Sequence, residues 1–368
     1  MKRRLVGVFQ KLMRASDILK LRLNNQRLSV GKFDRPTEVV RWLGGVQAQD
    51  YNAAKWALAL RSVNATELKI EEAFNKGQIL RTHVMRPTWH FVTPEDIRWL
   101  LELTSPRVNA VCAHYYRKFE LDDQFFRRAH KVISKALQKE RYLTRVELRD
   151  RLIAQGVEPG DAVRMGFILI RAELDGLVCS GPRQGKQFTY ALLDERVSPV
   201  KRITRDEALA NLSLRYFKSH GPATLRDFAW WSGLSQSDVK AGVGMVANKL
   251  QVEQGYYFSG SASDGIPEVV LLPAFDEYLV GYTDRSAATG HSTKQDALSN
   301  AIFNSVVLIR GVVKGDWNKK SSAKELLVNV NNWSEMTKKT LRALESAAAN
   351  YGHFAGLPAR IDLLSTRT

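Results

Sequence analysis

Cysteine is nearly missing from the 368 residues: only Cys112 and Cys179 occur. They stand far apart and without the spacing of metal ligands, so neither a disulfide framework nor a zinc site is indicated, and a reducing, intracellular compartment fits. Long apolar runs are missing as well. Leu5 to Phe9 is too short for a secretory apolar region, and Val306-Val307-Leu308-Ile309 is cut off by Arg310. A soluble, cytoplasmic protein without a membrane partner is expected. The chain has no phosphate-cradling glycine loop, no His-Glu-x-x-His helix and no nucleophile elbow, which sets aside the chemistries those motifs carry. No cofactor and no metal is expected. Acidic residues are the scarcer charge: 38 Asp and Glu stand against 55 Lys and Arg, a formal +17. A surplus of that size implicates a polyanionic partner, with nucleic acid first, and a cytoplasmic chain bound to DNA is expected to be nucleoid-associated.

The length is too great for one ordinary core and predicts two to four domains. Residues 1–35 hold ten Lys or Arg and two Asp; a basic arm over 1–15 either touches phosphates or frays in solvent. Apolar spacing then marks a helix from Ser16, a second from Pro36 to Leu43, a third from Tyr51 to Arg61 and a fourth from Thr66 to Phe74, closed by Gly77. Ile79 to Val92, rich in β-branched and aromatic residues, reads as two strands around Arg86-Pro87. Helices followed by a hairpin make a winged helix-turn-helix, and the rhythm recurs. Gln124 to Glu140, a helix from Thr144 with Glu147 in a capping box, and Ala162 to Asp175 lead into a wing over Leu177 to Leu192. Asp206 to Lys218, Thr224 to Ser232 and Ser235 to Lys249 lead into Tyr256-Tyr257-Phe258. Beyond Gly265 the texture changes to short strands, among them Val269 to Pro273, Tyr278-Leu279-Val280, Val306 to Ile309 and Arg360 to Leu364, with a helix over Trp333 to Tyr351. The expectation is an α+β chain: winged helices over 16–122, 123–200 and 201–264, then a small β-barrel-like domain over 265–368.

One hinge stands out, Gly44-Gly45-Val46-Gln47-Ala48-Gln49-Asp50. Paired glycines permit backbone angles that other residues resist, and Asp50 or Asn52 can cap the helix that follows. In an extended segment Gln47 and Gln49, two apart, share a face and aim at one target. The plainer reading is a tolerated polar turn.

Three stretches occur together and in order: this hinge, Met85-Arg86-Pro87-Thr88-Trp89-His90, and Leu271 to Arg285 with Asp276-Glu277-Tyr278 at its centre. In these the chain resembles the AlkZ-like winged-helix DNA glycosylases, from about Ser16 to the C-terminus. The resemblance implies three tandem winged helices and a β-barrel arranged around duplex DNA, removal of alkylated bases, and in some members the unhooking of interstrand crosslinks. It places the family's catalytic motif, a glutamine, a spacer and a second glutamine or aspartate, on Gln47 and Gln49 in the two-glutamine form. Pro87 departs from the pattern, standing where many members have glycine. Asp276, Tyr278 and Arg285 are implied as cleft residues on the DNA side, with an internal Asp–Arg ion pair as the other reading. Arg86 and His90 either contact the lesion and its phosphates or are satisfied structural residues, while for Trp89 a core position is favoured.

The chemistry can be judged apart from the resemblance. A neutral amide is a very poor base, so two glutamines cannot strip a proton from water early. Their carbonyl oxygens can hold a water beneath the sugar C1′ and present negative dipole ends to the oxocarbenium-like charge that develops there. That suffices when the leaving base is already activated, as in a purine made cationic by alkylation. The reading is a monofunctional glycosylase, with a DNA-binding regulator on the same scaffold as the alternative. No heptad or dimerisation helix is visible, so a monomer is expected.

Overall fold

The structure, a computed structural model, describes residues 13–261, 265–290, 301–333 and 335–364; the basic arm expected over 1–15 falls mostly outside them. The fold is mixed α+β. It begins α1 (Ala15–Asn25), α2 (Pro36–Leu43), β1 (Val46–Gln47), α3 (Tyr51–Leu60), α4 (Glu67–Asn75), β2 (Leu80–Val84), β3 (Arg86–Val92) and α5 (Ile97–Lys118). Local chemistry sets these limits. Pro36 opens α2, where a missing N–H costs nothing, and Gly44 ends it at φ 81°, an angle that side chains resist. Asp50 starts α3, its Oδ1 accepting the amides of Asn52 and Ala53 at 3.0 Å each. The hairpin turns about Met85, at φ 64°, one residue ahead of the Arg86-Pro87 corner that composition suggests.

The second part holds α6 (Asp123–Glu140), β4 (Leu143–Thr144), α7 (Arg145–Ala154), α8 (Ala162–Leu174), β5 (Val178–Ser180), β6 (Thr189–Leu192) and α9 (Leu193–Arg196). The third holds α10 (Arg205–Ser219), α11 (Leu225–Ser232), α12 (Gln236–Val246), β7 (Gln251–Glu253) and β8 (Tyr256–Phe258). One pairing rule repeats. A short strand ahead of the helices joins the far strand of the hairpin, giving the orders β1-β3-β2 and β4-β6-β5. In the third part Ala223 takes that place, exchanging backbone bonds of 3.1 and 2.8 Å with Tyr257.

The remainder is β9 (Val269–Leu272), α13 (Glu277–Val280), α14 (Ser286–Thr289), β10 (Val306–Ile309), β11 (Val312–Ser321), β12 (Leu326–Asn332), α15 (Lys338–Ala355) and β13 (Ala359–Leu364). The strands form one sheet in the order β13-β12-β11-β10-β9, and α15 packs against both edge strands. The strand expected over Tyr278 to Val280 is instead the helical turn α13. Asp276 caps it, accepting the Tyr278 amide on Oδ1 at 2.9 Å, and a short apolar run does not by itself choose between strand and helix. No described helix is long and apolar enough to cross a membrane.

The cores do not follow chain order. Val40, Trp56, Leu58 and Phe74 pack with Leu271, Trp317 and Tyr351, so α2, α3 and α4 lean on the C-terminal sheet and α15. Leu80, Val84 and Met85 of the first hairpin pack with Tyr216, Phe228 and Trp231 of α10 and α11. At that second contact Gly233 ends α11 at φ 70°, and a Cβ there would stand 1.9 Å from the Met85 carbonyl oxygen. Gly233→Ala is therefore expected to cost about 1–3 kcal/mol from backbone strain alone, and more as the contact opens. A thermal midpoint equal to that of the unaltered protein would refute this tight seating of α11 on the hairpin tip.

Candidate active site

The hinge becomes β1 because Gly44 releases the chain from α2 and the hairpin offers it an edge. Val46 pairs with Phe91 and Gln47 with His90, and the Ala48 amide donates to the Trp89 carbonyl at 2.7 Å. Val46 and Ala48 turn into the core; the strand alternation sends Gln47 to the opposite face. Arg81, on β2, holds the far end. Its Nε donates to the Ala48 carbonyl at 3.0 Å and its Nη2 to the Gln49 carbonyl at 3.5 Å, while its guanidinium lies over the rings of Trp89 and Phe188. Burial lowers the pKa of Arg81 to about 10.

The two glutamines differ in exposure. Gln49 is exposed, its Oε1 taking only a long bond of 3.4 Å from the Trp89 amide. Gln47, expected to open into a cleft, is 8% exposed. Its Oε1 accepts Arg86 Nη2 at 2.8 Å. A guanidinium carries donors only, so the amide atom facing it is the oxygen and the amide nitrogen turns the other way. Arg86 also donates from Nη1 to the Trp231 carbonyl at 2.6 Å, and its Nη2 lies 3.3 Å from His90 Nε2. His90 Nδ1 is 2.9 Å from the Thr88 carbonyl; that ring nitrogen therefore carries the proton, leaving Nε2 as the acceptor for Arg86.

Beneath them lies a carboxylate that the sequence reading passed over. Glu277, wholly buried, accepts the Gln47 backbone amide on Oε1 at 2.8 Å and the Trp231 indole on Oε2 at 2.8 Å. His220 Nε2 stands 3.4 Å from Oε2. Burial alone would raise this carboxyl; His220, the charge of Arg86 and the Gln47 amide outweigh it and bring the pKa down to about 2. Two adjacent acids, Asp276 and Glu277, inside the otherwise mostly apolar run Leu271 to Tyr282 were the available signal, since a buried acid needs partners.

The other expected residues fall as follows. His90 is fully buried, in the position of a satisfied structural residue, and Arg86 is half-buried with its fork engaged by Gln47 and Trp231. Asp276 and Tyr278, expected on the DNA side, are buried instead. Asp276 forms a bidentate pair with Arg61, at 2.7 and 2.8 Å, so the internal ion pair exists but with Arg61, not Arg285. The Tyr278 hydroxyl donates to the Gly311 carbonyl at 2.9 Å. Arg285 is half-buried, bonded through Nε to the Leu279 carbonyl at 2.8 Å, and close enough for its charge to be felt at Arg86. Trp89 is half-buried between His83, 4.4 Å from ring to ring, and Arg81.

Ionisation at the site is set away from neutrality. Burial, then the charge of Arg86, pushes His90 down to about 3 from 6.5. The unfolded chain therefore takes up this proton first, so the His90 contribution to stability is complete above pH 6.5 and lost as pH falls toward 3. For Glu277 the contribution is complete above 4.5 and lost toward 2. Thermal midpoints should fall progressively below pH 6.5, while activity per bound complex stays flat from pH 6.5 to 8. A rate inflection near pH 7 that vanishes in His90→Asn would contradict this.

A family model described as DNA glycosylase AlkZ-like matches residues 40–354. Over 375 residues the chain is 24% identical to an interstrand DNA cross-link repair glycosylase of Streptomyces sahachiroi, covering 95% of this chain and 100% of that one. The solved structure of the Streptomyces sahachiroi DNA glycosylase AlkZ aligns with a TM-score of 0.77 at 22% identity, covering 94% of this chain and 99% of that one; this likeness bears on the fold. Because the family match spans most of the chain, the protein belongs to the AlkZ-like family of DNA glycosylases.

Proposed function

We propose that the protein is a monofunctional glycosylase, monomeric on duplex DNA, that hydrolyses the N-glycosidic bond of alkylated, cationic purines. The observation that carries this reading is a pair of neutral amides, Gln47 and Gln49, with a carboxylate beneath Gln47 whose two oxygens are both engaged. Glu277 is thus not free to act as a general base, and amides can orient a water and present dipoles without deprotonating it. Such help is enough for a leaving base that already carries positive charge. No Schiff-base lysine is required, so strand cleavage at the abasic site is not expected. Interstrand crosslinks join the substrate list because the Streptomyces sahachiroi relative is named for their repair.

In this reading the three parts with the repeated pairing order are winged helices, near 16–122, 123–200 and 201–264, set around the duplex. The sheet with α15 across its edges is the barrel-like unit over 265–368. Arg127, Arg128, Lys131, Lys135 and Lys139 are exposed along α6 and have no acidic partner among the described residues. They supply phosphate-contacting charge, and affinity for undamaged duplex should fall with salt by about 0.9 log units per tenfold salt for each phosphate held. The deciding experiment incubates purified protein with methylated and unmethylated duplexes and measures free base. Release of methylated purine from the methylated duplex alone is expected; no release from either overturns the substrate assignment.

A further inference from the structure

We propose that Glu277 and Arg86 are positioning residues for base excision, both acting through Gln47. The proposal rests on the reading of Gln47 and Gln49 as the catalytic pair and goes on to divide their work. Gln47 is held at two points by groups from distant parts of the chain. Glu277 takes its backbone amide at 2.8 Å, and Arg86 takes its side-chain oxygen at 2.8 Å. The holding groups are themselves held. Trp231 serves both, giving its indole N–H to Glu277 at 2.8 Å and its carbonyl to Arg86 at 2.6 Å. His90 closes the frame behind Arg86 at 3.3 Å.

The chemistry of this frame is one-sided. Glu277 takes one fixed donor on each oxygen, the amide of Gln47 and the indole of Trp231, so it needs two acceptor oxygens. Arg86 meets acceptors only, the Gln47 oxygen, the Trp231 carbonyl and the bare nitrogen of His90, so it needs a fork of donors. Both oxygens of Glu277 and both terminal nitrogens of Arg86 are engaged inside the frame. What the frame produces is a Gln47 amide fixed in one rotation, its nitrogen and one oxygen lone pair turned away from Arg86. The Gln49 side chain, exposed and met by a long 3.4 Å bond from the Trp89 amide, is the partner free to follow a water. Gln47 is thus the fixed reference of the site and Gln49 its adjustable arm.

The test is a double-mutant cycle on the full chain, read as single-turnover release of methylated purine together with affinity for undamaged duplex. In Glu277→Gln one acceptor becomes an NH2 that faces a donor, and the excision rate is expected to fall about 10- to 100-fold, the scale of a small misplacement of a catalytic group, with duplex affinity within about 2-fold. In a Gln47→Ala background the same change should add nothing, because the amide it positions is gone; in a Gln49→Ala background it should act in full. Equal losses in both backgrounds, or no loss in the parent, overturn the proposal. Arg86→Lys gives a second cycle on a half-buried residue, should Glu277→Gln fail to fold; it keeps the charge, loses the fork, and is expected to show the same dependence on Gln47. Failure of the catalytic reading would look different: the unaltered protein, or Gln47→Ala and Gln49→Ala together, would show no excision difference at all.

Discussion

Replacing either Gln47 or Gln49 by alanine is expected to lower the rate of base release by about 100- to 1000-fold, the usual loss when one preorganised dipole is removed from a developing charge. Affinity for duplex DNA should be unchanged, because neither side chain carries a phosphate-binding charge. Gln49→Asp keeps an acceptor at an exposed position, adds a stronger base and increases stabilisation of positive charge at C1′. Activity should therefore persist and extend to less labile bases, while Gln49→Glu, with the original reach, separates charge from length. The same change at Gln47 should fare worse. A carboxylate there would pair with Arg86 but stand beside the buried charge of Glu277. Single-turnover assays on these variants decide the matter, and alanine variants that release methylated purine at the parent rate would move the chemistry away from the hinge.

The largest loss of stability is expected from Asp276→Ala. Arg61 is 1% exposed and its guanidinium meets Asp276 through two bonds. Removing the acid leaves a buried charge with only neutral partners, the carbonyls of Gln26 and Ala57 and the Gln26 side chain. Breaking such a pair costs about 3–5 kcal/mol. Asp276 also caps α13, the turn that carries Glu277, so the variant should lose excision along with stability. Urea unfolding followed by fluorescence should show a lower midpoint at an unchanged slope. A midpoint within error of the parent would mean that Arg61 is solvated in the folded protein.

What the sequence made legible was what neighbours decide. Asp50 was readable as a cap and Ile79 to Val92 as a hairpin because the cues lie within a few residues, and the repeated order of helices and hairpins is a local pattern three times over. Two of the longer elements escaped. The 22-residue α5 holds Pro106 in its interior, and Ser105-Pro106 reads as a stop. In β12, Asn329 and Asn331 suggest a turn until β11 supplies Asn318 and Asp316 as cross-strand partners. The site divided the same way. Gln47 and Gln49 were recognisable within a motif, whereas Asp276, Tyr278 and His90 were placed on the DNA because burial is invisible in a motif. Glu277 could not be linked to the hinge from spacing, since 230 positions separate it from Gln47.

That separation bears on how the protein comes into being. Synthesis proceeds from the N-terminus, so the hinge and its hairpin leave the ribosome well before Trp231 and longer still before Glu277. During that interval the nascent chain displays both glutamines, but the frame that fixes Gln47 does not yet exist. On the proposed reading, an unfinished or prematurely terminated product would hold DNA through its basic helices without the frame that positions Gln47, so full-rate base excision would be confined to chains that have been read past the third unit.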